Sequence, residues 1–121
     1  MYDLGNYLNE MCCDNNYPDG CGCAHFLENY PTEGEIVECT RLYYELENDT
    51  TEWSLDNEEC QQKVLAVKQC MVLNCFFWAL WCIMMIEEEN ETNPDSYHWE
   101  LIDGKCKMQQ MCQERFGFPA L

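Results

Sequence analysis

The stretch CMVLNCFFWALWCIMMI, Cys70 to Ile86, contains a single polar residue, Asn74. Whatever hides this run from water decides the fold. One solution is a membrane span, which needs about 17–25 apolar residues; this run sits at the lower edge of that range. Its flanks are Lys68-Gln69 on one side and Glu87-Glu88-Glu89 on the other, without a basic anchor cluster on either. A central helix buried on all sides fits the length and the flanks better. A third solution leaves one apolar face exposed for a dimer or a receptor.

Upstream of the run, the apolar spacing continues. Val64, Val67, Met71, Cys75, Trp78, Cys82 and Met85 hold one helical stripe. Asp56-Asn57-Glu58-Glu59 has the spacing of a capping box and starts this helix. A straight helix from Asp56 to Glu89 would be ~50 Å long at ~1.5 Å per residue. That is long for a small domain, and a kink or break near Asn74 is expected. Cys75 and Cys82 share a face while Cys70 points elsewhere, so packing helices on different sides have cysteines to meet.

Three further sections surround this helix. Residues 1–14 form a short helix with Tyr2, Leu4, Leu8 and Met11 on a loose stripe, and DNNYPDGCGC is a turn region centred on Pro18-Asp19-Gly20. Thr32 and Glu35 make a capping box for a helix carrying Ile36, Cys39, Tyr43 and Leu46 on one face. Asn48 to Ser54 is a polar break. Asn93-Pro94 reads as an N-cap and first helical residue, with Gly104 as a stop. Lys105 to Arg115 is helical again, with Met108, Met111 and Cys112 on one side and Gly117 as C-cap. Strand signals are weak. The expectation is an all-α chain, a small disulfide-rich helical bundle in a single domain, 1–121.

Composition narrows the function classes. Hydrophobic residues make up 47% of the chain, too many for a disordered acidic tail. Twenty-three acidic residues against six basic ones give a formal charge of −17. Such a field repels nucleic-acid phosphates and anionic lipid heads, so nucleic acid is excluded as a partner and a membrane is disfavoured. Eleven cysteines in 121 residues lie in the range of disulfide scaffolds from oxidising compartments. The disulfide candidates are Cys12, Cys13, Cys21, Cys23, Cys39, Cys60, Cys70, Cys75, Cys82, Cys106 and Cys112. The number is odd, so one thiol stays free or joins a second chain as a homodimer. The sequons at Asn48 and Asn90 make these residues glycosylation candidates and agree with a secreted, extracellular glycoprotein. Met1 to Glu10 has neither a basic start nor an apolar stretch, so a leader would have been removed ahead of this numbering.

The chemistry-bearing residues form no familiar active site. Cys12-Cys13 and Cys21-Gly22-Cys23-Ala24-His25 offer thiolates and an imidazole, but adjacent Cys-Cys and C-x-C are poor tetrahedral chelates. Bridge partners are the preferred reading, with His25 as a surface or turn histidine and no metal or cofactor. The His-Asp dyad of secreted phospholipases is missing: His25 precedes Phe26 and His98 precedes Trp99. Ser54 and Ser96 are the only serines, and neither lies in a Gly-x-Ser-x-Gly turn. No enzyme is expected. Trp78 and Trp81 belong to the core, whereas Trp53 and Trp99, beside polar segments, are possible binding anchors.

In kind, the chain resembles small secreted ciliate mating pheromones, which are acidic, cysteine-rich, nearly all-helical domains. The resemblance lies in the dense start EMCCDNNYPDGCGC, the cysteine-bearing helix CQQKVLAVKQCMVLNCFFWALWC, and the tail KCKMQQMCQERFGFPAL. This chain is longer than the small members of that family, and its cysteine count is odd. The resemblance implies a diffusible signalling protein that binds a cell-surface protein receptor and self-associates through helix faces. Two other classes stand beside it. One is a secreted carrier or effector whose Phe76, Phe77, Trp78 and Trp81 line an apolar ligand pocket. The other is a small membrane subunit spanning near 70–86.

Overall fold

A computed structural model describes residues 1–19 and 22–119. Four α-helices dominate: α1 (Tyr2–Glu10), α2 (Glu33–Asn48), α3 (Glu58–Glu89) and α4 (Tyr97–Phe116). The all-α expectation holds. A two-residue antiparallel ladder, β1 (Cys13–Asp14) with β2 (Ala24–His25), closes the loop after α1 and pairs Cys13 with His25. Of the turn read at Pro18-Asp19-Gly20, Gly20 lies outside the described residues, as does Cys21.

The local signals set most helix ends. Thr32 accepts from the Glu35 amide while Glu35 accepts from the Thr32 amide, so the capping box is formed. Gly117 ends α4 in the left-handed region at φ 69°, where a Cβ is disfavoured. Asn57, rather than Asp56, caps α3, its side chain accepting from the Glu59 amide at 2.8 Å.

Three expectations are corrected. First, α3 runs unbroken for 32 residues through Asn74. Asn74 causes no kink because its side chain is used sideways: it accepts from Asn9 at 3.0 Å and donates to Asn6 at 2.7 Å, both on α1. Second, α4 begins after Pro94, with Ser96 at its N-cap; Asn93 instead accepts from the Asp95 amide in a local turn. Third, Gly104 does not stop a helix. It lies mid-α4, where a Cβ would sit 2.1 Å from the His25 ring, so the glycine makes room for β2.

The core lies where α1, α2 and α4 meet one face of α3. Leu8, Ile36, Val67, Met71, Met108 and Cys112 are fully buried there, with Cys12, Tyr30 and Cys75. Gly5 lets α1 approach closely, since a Cβ there would stand 2.9 Å from the Cys70 Cβ. Lys68 of α3 pairs with Glu33 of α2. The stripe expected along α2 is only partly used: Ile36 is buried, whereas Tyr43 and Leu46 face water.

Candidate binding surface and thiol cluster

The inner stripe of α3 is largely as read: Val64, Val67, Met71, Cys75 and Cys82 are buried, but Met85, Trp78 and Trp81 are half-buried, so the two tryptophans border the core rather than belong to it. The outer face of α3 is not as read. Leu73, Phe76, Phe77, Leu80, Ile83 and Met84 are 46–66% exposed. Of the most apolar 18-residue window, 28% is buried. The expectation of a helix buried on all sides is thus overturned. Three partner helices cover one face of a cylinder, and no further helix among the described residues covers the other. The six exposed side chains fall on successive turns of one face, so they form a stripe rather than scattered residues.

This placement also changes the pocket reading. Phe76 and Phe77 point outward instead of lining a cavity. Phe77 and Trp78 border an open groove of about 520 Å³ with Tyr2, Asp3, Asn6 and Leu73. Trp78 donates its indole N–H to Asn6 Oδ1 at 3.0 Å and stands edge-on between Phe77 and Trp81. Of the two anchor candidates, Trp99 is 41% exposed on α4, while Trp53 is half-covered by an edge-on contact with Tyr44. Both sequon asparagines are exposed. Asn48 lies in the last turn of α2, and Asn90 is the left-handed C-cap of α3.

Several cysteines lie in the core instead, Cys12, Cys75 and Cys112 among them. Among the described residues no two sulfurs are at bonding distance. Cys12, Cys60, Cys75, Cys82 and Cys112 are buried, Cys23 is nearly so, Cys13, Cys39 and Cys70 are half-buried, and Cys106 is exposed. The neighbouring Cys112 of α4, together with burial, pushes the Cys75 thiol of α3 upward. Tyr30 Oη lies 2.8 Å from Cys112 Sγ and donates to Asn9 Oδ1 at 2.7 Å. Asn9 Nδ2 donates to the Met71 carbonyl and to Asn74. A polar thread thus crosses an otherwise apolar core with its buried groups partnered.

A second cluster forms around the β-ladder. Lys105 is 2% exposed and donates to Glu10 at 2.7 Å; its Nζ is 3.8 Å from Cys13 Sγ. Burial pulls the Lys105 pKa down, but Cys13 and Glu10 more than offset it. Cys13 is held down at about 5 by its neighbours Cys12 and His25 and by the positive charge of Lys105, against the cost of burial. Cys12 is pushed up by its neighbour Cys13 and by burial. His25 is therefore not a surface histidine. It is a ladder residue pressed onto Gly104, with Nε2 buried and without a hydrogen-bond partner among the described residues. Cys23 Sγ lies 3.9 Å from His25 Nδ1. The sequence named Cys13 and His25 but missed Lys105 and Glu10, because their pairing joins residues 95 apart. A lysine on the inner side of a helix was the available signal.

No family model, curated protein or solved structure matches this chain.

Proposed function

We propose that this protein is a non-catalytic signalling protein, secreted and recognised by a protein receptor at a cell surface, with the outer face of α3 as its contact surface. The observation that carries this reading is the exposed stripe of Leu73, Phe76, Phe77, Leu80, Ile83 and Met84 on an otherwise strongly acidic molecule. A contiguous apolar patch of this kind marks an interaction site. Its aromatic residues are the type that anchors interfaces. Trp99, exposed on α4, is a second anchor. In an oxidising compartment the buried cysteines close as bridges, Cys75 of α3 with its core neighbour Cys112 of α4 being one candidate pair. Self-association through the same stripe belongs to this reading, as does glycosylation at Asn48 and Asn90.

A membrane span is the second reading, since α3 is long and apolar enough to cross a bilayer. The neighbouring helix weighs against it. α4 packs along the same length of α3 and turns Asp103, Lys107, Gln110 and Glu114 to water. A spanning α3 would carry those groups into hydrocarbon, at about 2.5–3.5 kcal/mol for each charge at mid-bilayer.

The test is saturable binding of labelled protein to living cells, repeated with Leu80→Glu/Ile83→Glu. Saturable binding that the double variant loses supports the reading. Equal binding by the variant rejects the α3 surface. Quantitative flotation with neutral phosphatidylcholine vesicles, without saturable cell binding, rejects the receptor in favour of the bilayer.

A further inference from the structure

We propose that Cys13 is a nucleophilic thiolate site for thiol–disulfide exchange, positioned by His25 and charged by Lys105, through which the chain attaches covalently to a disulfide-bearing molecule. The proposal is independent of the α3 surface: a chain that failed to bind cells would still carry it.

The geometry comes first. Lys105 is a cation buried on α4, and a buried ammonium requires anionic partners. Glu10 supplies one at 2.7 Å, and the next group within reach is Cys13 Sγ at 3.8 Å. The ladder holds His25 opposite Cys13, and the glycine at 104 is what lets the imidazole lie against α4. Cys12, next in the chain, turns its S–H to the Asn9 carbonyl. One contact opposes the thiolate: the Asn9 carbonyl at the end of α1 is 3.4 Å from both sulfurs and accepts from whichever thiol keeps its proton. A single carbonyl dipole is outweighed by the full charge of Lys105, 3.8 Å from Cys13 Sγ. The groups facing Cys13 are therefore Glu10 from α1, Cys12 beside it, His25 from β2, Lys105 from α4 and, more distantly, Cys75 from α3. Thiolate next to a cation is the environment of reactive cysteines. Cys13 is half-buried, whereas Cys12 is covered.

The step balances without an added oxidant. Cys13 S⁻ attacks one sulfur of an incoming disulfide, a new S–S bond forms, the old one breaks, and the second sulfur leaves as a thiolate that takes a proton from solvent. Cys13 is oxidised by the sulfur that is reduced. The odd cysteine count then has a place in the fold, since exchange at Cys13 leaves an even number for intrachain bridges.

The test uses native, unreduced protein. A short pulse of iodoacetamide at pH 6, followed by peptide mapping, is expected to label Cys13 at least ten-fold faster than glutathione under the same conditions. The rate is expected to stay nearly flat from pH 6 to 8, while that of glutathione climbs with pH. Oxidised glutathione is expected to add one glutathionyl group at Cys13. His25→Asn and Lys105→Met, checked for helicity by circular dichroism, should each restore a pH-dependent rate. A Cys13 that is unlabelled because it is bridged or shielded overturns the proposal. So does a rate that follows the glutathione profile, or one that neither variant moves. If both variants unfold, the wild-type pH profile and the glutathionylation site decide the matter alone.

Discussion

The inner and outer faces of α3 differ little in sequence and completely in use. Met71, Cys75 and Cys82 are sealed against three helices; Phe76, Leu80 and Ile83, one residue or a few away, stand in water. Both faces are apolar, so hydrophobicity does not separate them. Specific pairing does. The inner side carries Asn74, whose amide meets Asn6 and Asn9 of α1, and α1 offers Gly5 to let the backbones approach. The outer side has no such key. Apolar surface supplies driving force, while small and polar residues supply the address.

Substitutions can break or sharpen this contrast. Met71→Ala, on the inner face, should have the largest effect: about 2–5 kcal/mol lost, read from the denaturant midpoint. If the loss is negligible, the inner face is not the core. Gly5→Ala tests the close approach of α1 to α3. Its Cβ would meet Cys70 and the Met71 backbone, and a cost of about 1–3 kcal/mol is expected. Thr32→Ala removes a cap remote from both faces and should cost about 1 kcal/mol at neutral pH. Its Glu35 partner has a folded pKa below the ordinary carboxylate value, through the Thr32 amide and hydroxyl. The stabilisation from that carboxylate is present above the ordinary value and lost as pH falls through the lowered one. The gap between wild type and Thr32→Ala should therefore narrow in acid. Leu80→Glu should be smallest, within about 0.5 kcal/mol, because the side chain is already wet. A large loss there would mean that the outer face is covered in solution.

Much of this fold could be read from residue order. The inner stripe of α3, the Thr32–Glu35 box and the Gly117 cap rest on local spacing, and local spacing is what a sequence displays directly. The unbroken course of α3 was not legible, because Asn74 reads as a polar interruption until Asn6 and Asn9 are known to face it. Gly104 misled for a similar reason: its empty space belongs to His25, far away in the chain. The exposure of Phe76 and Leu80 depends on how many helices remain to cover α3, a property of the whole chain. For the thiol cluster, Cys13 and His25 were visible as residues. Lys105, which gives Cys13 its charge, came into view only through packing.

The tie between α1 and α3 also has a consequence in time. Asn9 finds Asn74 across 65 positions, whereas α3 and α4 are sequence neighbours that pack antiparallel across a short turn. Contacts so distant in sequence form late, because their loop must close first. During synthesis α1 emerges early and waits, with Leu8 and Asn9 unpartnered, until the middle of α3 has been made. Docking α1 thus closes the longest loops of the fold, out to the Glu10–Lys105 pair. In native-state hydrogen exchange, the α1 amides should open below the global unfolding energy and release α1 from α3 while the α3–α4 pair stays closed.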